Sequence, residues 1–153
     1  MSVSQTLQDL GIALPDVVPP VAAYIPAIVH GDLVYTSGQL PMSGGALPAT
    51  GKVGGAVTAE DAKGYARQSA LNAIAAAAAA VGGVDRLTGV VKVTGFVAST
   101  PDFTGQPGVI NGASELLGEV FGEAGRHARS AVAAPVLPLD SPVEVEVIFS
   151  VAP

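Results

Sequence analysis

GRHARSAVAAPVLPLDSPVEVEVIFSV, Gly125 to Val151, holds the reading on which the fold turns. Gly125 is a helix stop, and Ala131–Val136 reads as an apolar strand. The next six residues, Leu137 to Pro142, contain two prolines and an aspartate, a turn composition. From Val143 to Val151 valine alternates with other residues at period two, so this is a strand with one apolar face and with Glu144 and Glu146 together on the other. Arg129 stands at the head of the first strand, in a chain with only seven lysines and arginines. A cation placed there calls for a reason.

Working upstream, Val109–Ala124 has the helical period, with Ile110, Leu116, Leu117, Val120 and Phe121 turned inward. Asp102–Gly108 reads as a loop, and Val90–Val97 (VVKVTGFV) as a strand with Lys92 and Thr94 on one face. Thr58 is a good N-cap, followed by Glu60 and Asp61 in the first turn, for a helix over Ala59–Val81 that stops at Gly82-Gly83. The run Ala75–Ala80 lets this helix approach a sheet closely, and Leu71, Ile74, Ala78 and Val81 keep an apolar stripe. Gln39–Val57 holds five glycines and two prolines; so long a loop in a compact domain suggests a lid or an interface arm. Ala22–Val29 and Leu33–Ser37 read as strands joined at His30-Gly31-Asp32. Residues 3–10 form a short helix. The order ββαβαββ predicts an α+β sandwich with its helices on one face of the sheet.

The length of 153 residues suits one domain spanning 1–153. The chain is 49% hydrophobic but only 13% charged, so part of its apolar surface is expected in a subunit interface. A net charge of −6 with scattered bases argues against nucleic acid, whose binding needs clustered cations. Without cysteine there is no disulfide, thiolate metal site or thiol nucleophile, which fits a cytoplasmic location. The N-terminus lacks the basic and apolar regions of a signal peptide, and no apolar run reaches the roughly 18 residues of a membrane span. Phosphate-binding glycine motifs and the GxSxG elbow are missing, and two distant histidines make no metal site. No metal or cofactor is expected.

The chemistry-bearing residues that remain are Arg129 and, two strands away, Glu144. A carboxylate in so apolar a strand is costly unless it faces water or meets a partner. On pattern alone, Glu144 and Glu146 could simply line a solvated sheet face.

YTSGQLP at Tyr35–Pro41, the helix containing ARQSALNAIAA, VVKVTGFV, and HARSAV followed by LPLDSPVEVE occur here in the order seen in the RidA/YjgF family of imine deaminases. The sequence resembles that family over nearly the whole chain after about residue 20, and GEVFGEAGRHARSAV is similar to its longer, endoribonuclease-like branch. The resemblance implies a chorismate-mutase-like fold and a homotrimer with clefts between subunits. It also implies cofactor-free hydrolysis of 2-imino or 2-enamino acids to 2-oxo acids and ammonia. On that basis Arg129 grips the substrate carboxylate, Glu144 holds the attacking water, and Tyr24 lines the cleft. Ser37 and Gly38 shape its floor, Asn111 comes from the second helix, and Ala131 occupies the position where many members carry cysteine. The alternative is a trimeric binder of small carboxylates that uses the same residues without catalysis. Ribonuclease activity fits the charge poorly. Arg126 and His127 read as structural.

Overall fold

The computed structural model describes residues 1–20 and 22–153. Its elements are α1 (Val3–Asp9), β1 (Ala27–His30), β2 (Leu33–Thr36), α2 (Ala59–Val81), β3 (Leu87–Ala98), α3 (Gln106–Phe121), β4 (Ala128–Ala134) and β5 (Val143–Val151). The strands make one sheet in the order β1-β2-β5-β3-β4. All its pairings are antiparallel except β3 with β4, the two strands that α3 connects. α2 packs on β1, β2 and β5, and α3 on β3 and β4. The α+β order and the one-sided helix layer are as the sequence predicts.

Between sheet and helices lies a core of small residues. Val143, Val145, Val147 and Phe149 of β5 meet Ala66, Ala70, Ala73 and Ala77 of α2, all buried. Methyl side chains let α2 lie close to the strands, and each buried valine or phenylalanine contributes about 1.5–3 kcal/mol. Thr58 caps α2 by accepting from the Asp61 N–H at 3.1 Å, a contact typically worth about 1 kcal/mol. α2 and α3 press together at Gly112, where a Cβ would collide with the Lys63 carbonyl. The ion pairs Lys63–Glu115 and Arg67–Glu119 bridge the same two helices at their surface.

Several boundaries differ from the sequence reading, each for a local reason. β1 begins at Ala27 rather than Ala22, because Pro26 has no N–H to give a ladder. β4 begins at Ala128 and ends at Ala134, before Pro135, so Arg129 lies inside the strand pairing. α3 starts at Gln106 with Pro107 in its first turn, where a missing N–H costs nothing, and it tightens into a 3₁₀ turn over Gly122–Gly125. β3 is longer than Val90–Val97, running from Leu87 to Ala98 past two register shifts.

The 39–57 segment is tied down rather than free. Asn72, fully buried on α2, donates to the carbonyls of Leu40 and Met42 at 3.0 Å each. The Val53 N–H bonds the Ala98 carbonyl, its side chain is buried, and Lys52 pairs with Asp140. Among the described residues no helix is long and apolar enough to cross a membrane.

Among the described residues no helix lies on the second face of the sheet. In-register neighbours Ile28, Tyr35 and Ile148 cross it in one row, and Val132, Phe96 and Glu144 in another. Ile28, Tyr35 and Val132 are exposed.

Candidate functional site

Arg129 and Glu144 face opposite sides of the sheet. Arg129 pairs with Val93, which pairs with Val147, and both valines are buried under the helices. Glu144 pairs with Phe96 on the open face. Two strand spacings and three residues of offset put their backbones roughly 14 Å apart. No small molecule could be gripped by Arg129 and reached by Glu144 within one chain. The residues expected at the site form two separate groups.

The first group stands where edge strand β4 meets α3. Arg129 Nη1 donates to Asn111 Oδ1 at 2.8 Å and to Ser114 Oγ at 3.2 Å, while Nη2 donates to the Pro107 carbonyl at 3.2 Å. A guanidinium has five N–H donors. Three are occupied here, which leaves Nε–H and one hydrogen of Nη2, two nitrogens on one edge of the group. That is the number one carboxylate takes in a paired contact. Among the described residues Arg129 makes no ion pair, whereas Lys52, Lys63, Arg67 and Arg126 each have an acidic partner. The guanidinium is thus a half-buried cation held by neutral acceptors. Asn111 must turn its oxygen to Arg129, so its amide hydrogens point elsewhere and add donors beside the guanidinium. Ala131, opposite Gly95 and two residues from Arg129, lies on the same face of β4.

The second group lines a cleft of about 60 Å³ that includes Tyr24, Pro26, Gly38, Met42, Pro138 and Glu144. Gly38 follows β2, and the next residue, Gln39, exchanges backbone hydrogen bonds with Val145 at 2.8 and 3.0 Å. This pairing lays Gly38 directly against the Glu144 side chain. A Cβ at Gly38 would stand 2.8 Å from Glu144 Cδ and closer still to Oε1, so only glycine leaves the carboxylate its place. Burial, and secondarily the negative charge of Glu146, raise the Glu144 carboxyl above its ordinary value. Ser37 stands behind the cleft. Its hydroxyl donates to the Ile25 carbonyl at 2.6 Å and its N–H to the Pro26 carbonyl at 2.8 Å, which fixes the Tyr24–Pro26 stretch.

Two residues absent from the sequence reading of the site belong to the first group. Ser114 touches Arg129, and His127, read as structural, stands 2.9 Å from Ser114 Oγ through Nε2. Their spacing carried the signal. Ser114 is three residues from Asn111 on a helix, and His127 two from Arg129 along an extended chain, so each shares its neighbour's side.

Comparison with known proteins agrees with this architecture. Residues 4–151 match the family described as "YjgF/chorismate_mutase-like, putative endoribonuclease". Protein TCP17 of Trypanosoma cruzi is 42% identical over 149 residues, 95% of this chain and 92% of that protein. The crystal structure of Atu1372 from Agrobacterium tumefaciens, described as of unknown function, is 41% identical with a TM-score of 0.89, covering 99% of this chain and 94% of that one. A Shewanella oneidensis protein described as "a putative endoribonuclease" is 32% identical with a TM-score of 0.94, over 99% of this chain and 100% of that one. Sequence, sheet order and helix layer thus agree, and the chain belongs to the RidA/YjgF, chorismate-mutase-like family.

Proposed function

We propose that the protein is a homotrimeric deaminase that hydrolyses 2-imino acids, and their 2-enamino tautomers, to 2-oxo acids and ammonia. The observation that carries this reading is Arg129, half-buried, unpaired with any acid among the described residues, and left with two donors on one edge. The exposed apolar row on the open sheet face supports assembly, and the separation of Arg129 from Glu144 requires it. A second copy brings its Tyr24, Gly38 and Glu144 group against the Arg129 group of the first. A cytoplasmic setting, where such reactive imines arise, is part of this reading.

In such a composite cleft Arg129 holds the substrate carboxylate through two charge-assisted bonds, and Asn111 presents amide donors beside it. Glu144 accepts a proton from water as the oxygen adds to the imine carbon and passes it to the nitrogen, giving a neutral carbinolamine. It then takes the hydroxyl proton of the carbinolamine and delivers it to the nitrogen as the C–N bond breaks, so that ammonia leaves and the carbonyl forms. One carboxyl thus takes a proton from oxygen and gives one to nitrogen in each half of the reaction, and a carboxyl raised above its usual range is suited to both parts of that task. The experiment is ammonia release from 2-iminobutanoate generated in situ, with Arg129→Ala as control. Release above the uncatalysed rate that Arg129→Ala abolishes supports the deaminase. No release, with 2-oxobutanoate still bound through Arg129, makes the protein a carboxylate binder.

A further inference from the structure

The Arg129 guanidinium is held from behind by a chain of three groups that ends on a backbone carbonyl. His127 Nδ1 lies 2.6 Å from the Gly125 carbonyl oxygen. A carbonyl can only accept, so Nδ1 carries the hydrogen. In the neutral ring Nε2 is then an acceptor, and the atom 2.9 Å from it is Ser114 Oγ. Arg129 Nη1, which can only donate, occupies a lone pair of the same hydroxyl at 3.2 Å. The one hydroxyl hydrogen of Ser114 is therefore directed at His127. With the imidazole neutral, every donor and acceptor in the series Arg129, Ser114, His127, Gly125 is assigned.

We propose that His127, acting through Ser114, is a positioning residue for Arg129. It fixes the Ser114 hydroxyl as an acceptor, and so fixes the rotation of the guanidinium that turns its Nε edge outward. Without His127 the Ser114 hydrogen is free to rotate toward Arg129, where it competes with the Nη1 hydrogens. Ser114 and Asn111 together then no longer saturate Nη1. The elements involved suit this work, since α3 carries Asn111 and Ser114 on one side, and Gly125 is buried where α3 ends. The inference rests on the carboxylate-binding role given to Arg129 above, and its test separates the two.

The first measurement needs no ligand. Imidazole nitrogen NMR above the ordinary histidine titration range should find His127 as the Nδ1–H tautomer, the minor form of free histidine. Exchange of the Arg129 Nε–H with water should quicken in both Ser114→Ala and His127→Phe. The second measurement is 2-oxobutanoate affinity. Ser114→Ala should weaken it about tenfold, the worth of one charge-assisted bond, and Ser114→Thr, which restores the hydroxyl, should recover it. His127→Phe should also weaken binding, and the double variant should be no worse than Ser114→Ala alone, since both act through one hydroxyl. An Nε2–H tautomer, unchanged Nε–H exchange, or single effects that simply add would each overturn the proposal. If Arg129→Ala abolishes binding while Ser114→Ala and His127→Phe leave it intact, positioning by His127 is refuted and the role of Arg129 stands. If Arg129→Ala leaves binding unchanged, the carboxylate role fails, and tautomer and exchange still decide the positioning.

Discussion

Gly38 and Glu144 are in direct contact: the backbone after β2 passes so close to β5 that a methyl group on Gly38 would stand 2.8 Å from the Glu144 carboxyl carbon. Gly38→Ala therefore has to move the carboxylate. A displacement of about 1 Å at a reacting group costs about 100-fold in rate, and ammonia release should fall by that order. Because Glu144 acts on water and Arg129 holds the carboxylate, 2-oxobutanoate affinity should change little. Steady-state kinetics beside calorimetry checks the split.

Arg129→Lys keeps the charge and loses the edge of two nitrogens. Binding of 2-oxobutanoate should weaken by about 1.5–3 kcal/mol, measured by calorimetry, and turnover should fall with it. A lysine variant with wild-type affinity would mean that charge alone holds the ligand.

Burial and the neighbouring Glu146 raise the Glu144 carboxyl above 4.5. As a base it must be ionised, so kcat/KM should fall on the acid side through an inflection above that value. Glu146→Gln removes one of the two causes and should move the inflection down. The same shift has a stability sign. The folded chain holds the Glu144 proton more tightly than the unfolded one, so stability declines as pH rises from 4.5 through the raised value. Glu144→Gln should accordingly raise the melting temperature at neutral pH, with the advantage disappearing below 4.5.

RNA cleavage should be negligible in clean preparations, despite the endoribonuclease wording attached to the family and to the Shewanella relative. The chain carries −6, and among the described residues four of its seven bases are paired with acids. Robust degradation of RNA by wild type, lost in Arg129→Ala prepared alongside it, would contradict this.

What was legible in the sequence was what one strong local signal governs. α2 runs over Ala59–Val81, as the Thr58 cap and the double glycine require, and β5 over Val143–Val151, as its alternation requires. The boundaries of β1 and β4 moved because ladder pairing with a neighbour decides them, and the neighbour is distant in sequence. The mutual positions of the site residues were less accessible. Alternation separates Glu144 from Val145, but only the parallel pairing of β3 with β4 turns Arg129 toward the helices. That placement brings Ser114 and His127 to Arg129, and no reading of His127 alone reveals it. The 39–57 loop, glycine-rich and so lid-like in composition, is held by Asn72, a buried polar residue of an alanine-rich helix.

The central claim is that one working cleft needs Arg129 from one copy and Glu144 from another. Arg129→Ala and Glu144→Gln chains, each inactive alone, should be co-refolded in equal amounts and assayed for ammonia release. In randomly mixed trimers about one cleft in four joins an intact Arg129 to an intact Glu144, so roughly a quarter of wild-type activity should return. A mixture as inactive as its parents, or a wild-type monomer that turns over substrate at full rate, would contradict the account.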